Sequence, residues 1–150
     1  MSVQRKSSDP NINRIEWHIR HERAIRDAVT EARSTTGGHT GGAPSGHSYI
    51  TDTTATQAIR NAEELRSVKL DNGTFIEWPE RWLTVISAVR SWCDVDTIRA
   101  EVFRRRYKGD GYVSTCREIH IAQQTYSDVL GRIRDYEIKC ACQAQLIKVF

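Results

Sequence analysis

Several ingredients are scarce in this sequence. Among its 150 residues no run approaches the roughly 20 consecutive apolar side chains of a membrane-spanning helix, and the opening MSVQRKSSDPNIN has no apolar core of the secretory kind. A soluble, cytoplasmic chain is expected. Cysteine is limited to Cys93, Cys116, Cys140 and Cys142, too few and too irregularly spaced for a disulfide framework, so reduced thiols are expected. Cys140 and Cys142 form C-x-C, and on a helix two residues apart they point about 200° away from each other, which disfavours a shared metal. His39 and His47, set among glycines, read as solvated linker histidines.

Catalytic signatures are missing too. The chain has no G-x-S-x-G, H-E-x-x-H, Walker loop or dinucleotide fingerprint. GGHTGGAPSG lacks both a preceding strand and the Gly-Lys-Ser/Thr that would hold a phosphate. His18 and His21 stand three apart without an accompanying carboxylate or cysteine cluster. An enzyme is not expected, nor a cofactor or a metal. With 39% apolar and 27% charged residues the chain carries enough core formers to fold, and its length suits about one domain.

Apolar spacing then gives the organisation. Ile12, Ile15, Ile19, Ile25, Ala28 and Val29 recur at helical intervals with no intervening Gly or Pro, so one amphipathic helix is expected over residues 12–33, filling an N-terminal segment 1–33. Its apolar stripe, with Trp17 beside it, predicts docking on a partner, a second copy of the chain foremost. Residues 34–50 are rich in Gly and Ser and read as a flexible linker. A helical domain over residues 51–150 follows. It opens at the capping residues Thr51, Asp52 and Thr53 and places Ala55, Ala58, Ile59, Ala62 and Leu65 on one face. Asp71-Asn72-Gly73 signals a turn, and Pro79 suits the first turn of a helix striped by Trp82, Val85, Ile86, Val89 and Cys93. Another helix carries Ile98, Val102, Phe103 and Tyr107 and stops at Lys108-Gly109. No segment shows sustained two-residue alternation, so the fold class expected is all-α.

Residues 112–134 carry the functional signal. A helix-turn-helix needs a small residue where its helices cross, apolar residues to lock them, and a tight turn before the second helix. Counted from Tyr112, Cys116 is the small crossing residue, and Ile119, Ile121, Tyr126 and Val129 take the locking positions. His120 stands where glycine is usual, and Thr115 where an aliphatic is usual. The second helix, beginning near Ala122, would expose Gln123, Gln124, Thr125, Ser127 and Asp128 to base edges, glutamine being suited to adenine N6 and N7. Residues 97–150 hold 10 basic and 6 acidic side chains, a local +4 in a chain of +3. Within them Arg104, Arg105, Arg106, Lys108, Arg117, Arg132 and Arg134 flank the reading helix, where phosphate contacts would orient it.

The order VFRRRY, GDGY, REIHIAQQTYSDVLGRI within residues 98–133 resembles region 4 of bacterial sigma factors, and more closely the phage late-gene regulators of the ArpU and RinA type. SYITDTTATQAIRNAEEL after a glycine-rich spacer adds to the resemblance, which spans residues 49–150. It implies a C-terminal helix-turn-helix that binds double-stranded DNA at a phage late promoter in the bacterial host cytoplasm, activating transcription and involving host RNA polymerase. Two alternatives remain open: a small terminase subunit or other DNA-packaging protein, and a helical interaction protein that binds no DNA.

Overall fold

A computed structural model describes residues 7–38 and 63–148, which fall into two compact units: residues 1–22 with 81–150, and residues 23–80. Among the described residues there are six helices and one two-stranded hairpin, so the chain is mostly helical.

In the first unit, α1 (Pro10–Arg20) begins where Asp9 accepts the Asn11 N–H at 2.8 Å, with Pro10 at the first helical position. It ends at His21 rather than continuing to residue 33 as one helix. The His21 ring stacks on Trp17 and donates from Nδ1 to the Trp17 carbonyl at 2.7 Å, an acceptor the backbone ladder also uses. The His21 N–H keeps its own bond to that carbonyl at 3.1 Å, and the helix that spacing alone predicts to be continuous ends there because His21 takes φ −103° and ψ 14°, outside the helical region. The next helix, α2 (Glu22–Gly38), starts immediately after.

Helix α3 (Pro79–Asp94) buries Trp82, Val85, Ile86, Val89 and Cys93, the whole stripe that the sequence spacing sets out. Asp96 then caps α4 (Thr97–Lys108) by accepting the Arg99 N–H at 3.1 Å, and Gly109 closes it at φ 104°. Val102 and Phe103 are buried, while Ile98 stays 42% exposed. Two helices follow, α5 (Tyr112–Ile119) and α6 (Gln123–Gln143), the longest of the described helices. Helix α6 is the centre of this unit: α1, α4 and α5 all pack against it, and Ile133 and Ala141 are fully buried.

The second unit holds most of α2 and the hairpin of β1 (Ser67–Lys69) and β2 (Phe75–Glu77), antiparallel with Val68 opposite Ile76, both buried. Its turn is Asp71-Asn72-Gly73, where Gly73 takes φ 88° and Asn72 Oδ1 accepts the Thr74 N–H at 2.9 Å. The hairpin corrects the expectation that no strand is present: with one inward residue per strand there is no alternation long enough to read. Arg33 on α2 pairs with Glu80 and donates to the Glu63 carbonyl at 3.1 Å. Helix α2 also runs to Gly38, so the segment expected as linker from residue 34 is helical at its start. Adding a residue to a formed helix costs little compared with nucleating one. The rest of the expected linker and the expected helix start at Thr51 lie outside the described residues.

Candidate nucleic-acid interface

The connection between α5 and α6 is three residues long. His120 ends α5 in the left-handed region, φ 57° and ψ 48°, with its N–H donated to the Cys116 carbonyl. Ile121 N–H reaches the same carbonyl at 3.0 Å. A left-handed residue usually calls for glycine, and histidine is among the few others that tolerate it. Cys116 is buried against this turn, its thiol 4.0 Å from the Ala122 carbonyl. Tyr126 is buried, whereas Ile119, Ile121 and Val129 are only half-buried. Thr115 is fully buried and its hydroxyl finds no partner.

Helix α6 starts in the open. Ala122 is its N-cap and offers no side-chain acceptor to the first-turn N–H groups. Ala122, Gln123, Gln124, Thr125, Ser127 and Asp128 are all exposed, with Gln124 donating its amide to Asp128 at 3.0 Å. Thr125, Asp128 and Arg132 follow one another at spacings of three and four, one stripe of the helix. Lys108, Arg117 and Arg132 are exposed and have no ion-pair partner among the described residues.

The three consecutive arginines of α4 separate. Arg104 is outward, pairing with Glu101 at 2.9 Å across one turn. Arg105 is held by three carboxylates: Glu101 at 3.1 Å, Asp110 at 3.6 Å, and Glu118 on α5. Arg106 is buried and donates twice to Glu16 of α1, at 2.8 and 3.0 Å. Arg105 and Arg106, both expected to contact phosphate, are thus paired here with carboxylates of their own chain. The partly exposed Arg105 ties α4 to α5 and the buried Arg106 ties α4 to α1, so Arg106 would have to break a buried pair to reach a duplex.

Glu16 organises a cluster that no local pattern reveals, because its members lie 90 and 118 residues away along the chain. Besides Arg106 it takes Arg134 Nε at 3.0 Å and Arg20 at 3.6 Å. Next to it Tyr107 donates its hydroxyl to Glu137 at 2.8 Å. Burial pushes the fully enclosed Glu137 carboxyl up to about 7, with the Tyr107 hydroxyl pulling the other way. His18, stacked face to face on Trp82 at 3.8 Å, is lowered by burial to about 4.

All four cysteines are free; Cys93, Cys116 and Cys140 are buried and Cys142 is half-buried. Among the described residues no group of three or more His, Cys, Asp or Glu stands together as a metal site, and no helix is long and apolar enough to cross a membrane. Compared with protein-family models, curated proteins and solved structures, the chain matches none.

Proposed function

We propose that this protein is a sequence-specific DNA-binding regulator that lays the start of α6 into the major groove, with α5 and α6 acting as a helix-turn-helix, and that it activates phage late genes. The observation that carries the reading is the junction itself. A left-handed residue turns a short helix into a long one whose uncapped first turns expose two glutamines, a threonine, a serine and an aspartate. Glutamine can bridge adenine N6 and N7, Asp128 can accept from cytosine N4, and unpaired first-turn N–H groups favour a nearby phosphate. Arg117, Arg132 and Lys108 supply uncommitted positive charge.

Selection of bound duplexes from a random pool tests it. The full chain should enrich one motif, and Gln123→Ala with Gln124→Ala should lose that motif while still retaining random duplex at low salt. Failure of the wild-type chain to retain any duplex at low salt would sink the reading. A reporter driven by a promoter bearing the enriched motif then separates activation from repression.

A further inference from the structure

Among the described residues of the first unit, four large apolar side chains stay in water, and they stand at the two ends of α4. Val95, 83% exposed, and Ile98 lie at its start; Tyr112 and Val113, also exposed, lie just past its end. Apolar side chains exposed singly are ordinary, but grouped ones rimmed by charge mark surfaces that bind protein.

The rims are opposite in sign. At the start Asp94 and Asp96 are exposed, Asp96 also capping α4, while the cations nearest in sequence are engaged elsewhere. Arg90 forks onto Glu22, and Arg99 lies 3.6 Å over Trp92 and donates to its carbonyl. At the end Lys108 and Arg117 are exposed with no ion-pair partner among the described residues, and the acidic neighbours Asp110 and Glu118 both hold Arg105. The start therefore keeps a negative excess and the end a positive one. Between them Thr97, Glu101, Arg104 and Lys108 recur at spacings of four, three and four, one outward stripe with the Glu101–Arg104 pair at its middle. Such a stripe complements itself when turned end for end. With 12 residues α4 is about 18 Å long, so its two ends cannot meet within one chain. A twofold axis across the middle of the helix satisfies both ends at once, residue i of one copy meeting residue j of the other and the reverse.

We infer that the outward face of α4 binds a second copy of this chain, the two α4 helices running antiparallel in a closed dimer. Asp94, Val95 and Ile98 of each copy then face Val113 and Arg117 of the other. The pairing does not depend on the DNA-binding reading, with which it competes for Lys108 and Arg117.

Sedimentation of the full chain without DNA, across a concentration series, should show a reversible monomer–dimer equilibrium that stops at two and weakens with salt. Asp94→Lys and Arg117→Glu, both at exposed positions, each set like charges against one another at two symmetric contacts. Either should loosen the dimer about tenfold or more while leaving the melting temperature nearly unchanged. Mixed in equal amounts, the two variants should regain wild-type association, because each then offers the other an opposite charge at both contacts. The inference is overturned by a chain that stays monomeric, by an assembly that grows past two, by association that neither substitution touches, or by a mixture no tighter than its parts.

Discussion

Two buried ionisable side chains pull the stability of this fold in opposite directions with pH. Glu137 has its folded pKa raised from 4.5 to about 7 by burial, so the folded state keeps a proton that the unfolded state gives up. Its contribution is complete below 4.5 and is lost as pH rises to 7, by up to about 3 kcal/mol from the size of that shift. His18 has its folded pKa lowered from 6.5 to about 4, so its contribution is complete above 6.5 and is lost as pH falls toward 4. The two slopes offset each other between 4.5 and 6.5. Glu137→Gln, which cannot ionise, should remove one of them. In urea unfolding its stability relative to wild type should improve by up to about 3 kcal/mol between pH 4.5 and pH 7, and a pH-independent difference would refute the buried-carboxyl account. Thr115 offers a simpler case. Its hydroxyl is fully buried without a partner at a position where helix-turn-helix proteins place an aliphatic side chain. Thr115→Val should stabilise the protein by about 1 kcal/mol, read as a higher urea midpoint at unchanged m-value.

Whether an element can be read from the sequence depends on the range of the forces that make it. The stripe of α3 is visible because burial of Trp82, Val85, Ile86, Val89 and Cys93 is a property of one helix face repeated over four turns. The break at His21 is invisible to spacing, since it is a change in the backbone angles of one residue while apolar residues recur on both sides of it. The hairpin is invisible because Val68 and Ile76 give one buried residue per strand, although Asp71-Asn72-Gly73 marks its turn. In the candidate site, the exposure of Ala122, Gln123, Gln124, Thr125, Ser127 and Asp128 around a buried Tyr126, and the turn at His120, are local and legible. The fates of Arg105 and Arg106 depend on Glu118 and Glu16, which no local pattern links to them. Glu16 also changes the reading of α1, because its apolar stripe is used within its own chain: Ile15 and Ile19 are buried, and three arginines from three helices meet the carboxylate. Glu16→Gln should therefore destabilise the fold by about 3 to 5 kcal/mol, the usual cost of leaving buried cations without their partner. Removal of residues 1–20 should be worse, and a truncated chain as stable as the full one would show that α1 is not an integral part of its unit.

For the whole molecule, the DNA-binding function proposed above would make the separation of paired from available cations decide how a duplex responds to salt and to mutation. A net charge of +3 is too small to make the chain bind polyanions indiscriminately. On the proposed function, affinity would come from the positive side chains that the fold has not already paired. Lys108, Arg117 and Arg132 are exposed and unpaired among the described residues, Arg104 is shared with Glu101, and Arg105 and Arg106 are locked in ion pairs. Replacing Arg117 or Arg132 with alanine should weaken specific and random duplexes alike, flatten the log–log salt slope by about 0.9 for each phosphate no longer neutralised, and leave thermal stability nearly unchanged. Arg106→Ala should do the reverse at the level of mechanism, lowering the melting temperature first and reducing binding only in proportion to the unfolded fraction. Gln123→Ala should cost roughly 1 to 3 kcal/mol on the preferred site alone, with no change in slope, because a base contact releases no counterion. Measuring all four proteins by anisotropy across a salt series, with melting curves in parallel, separates the roles. If Arg106→Ala keeps its melting temperature yet flattens the slope, the buried pair with Glu16 opens on DNA and the division between structural and binding cations drawn from the fold is wrong.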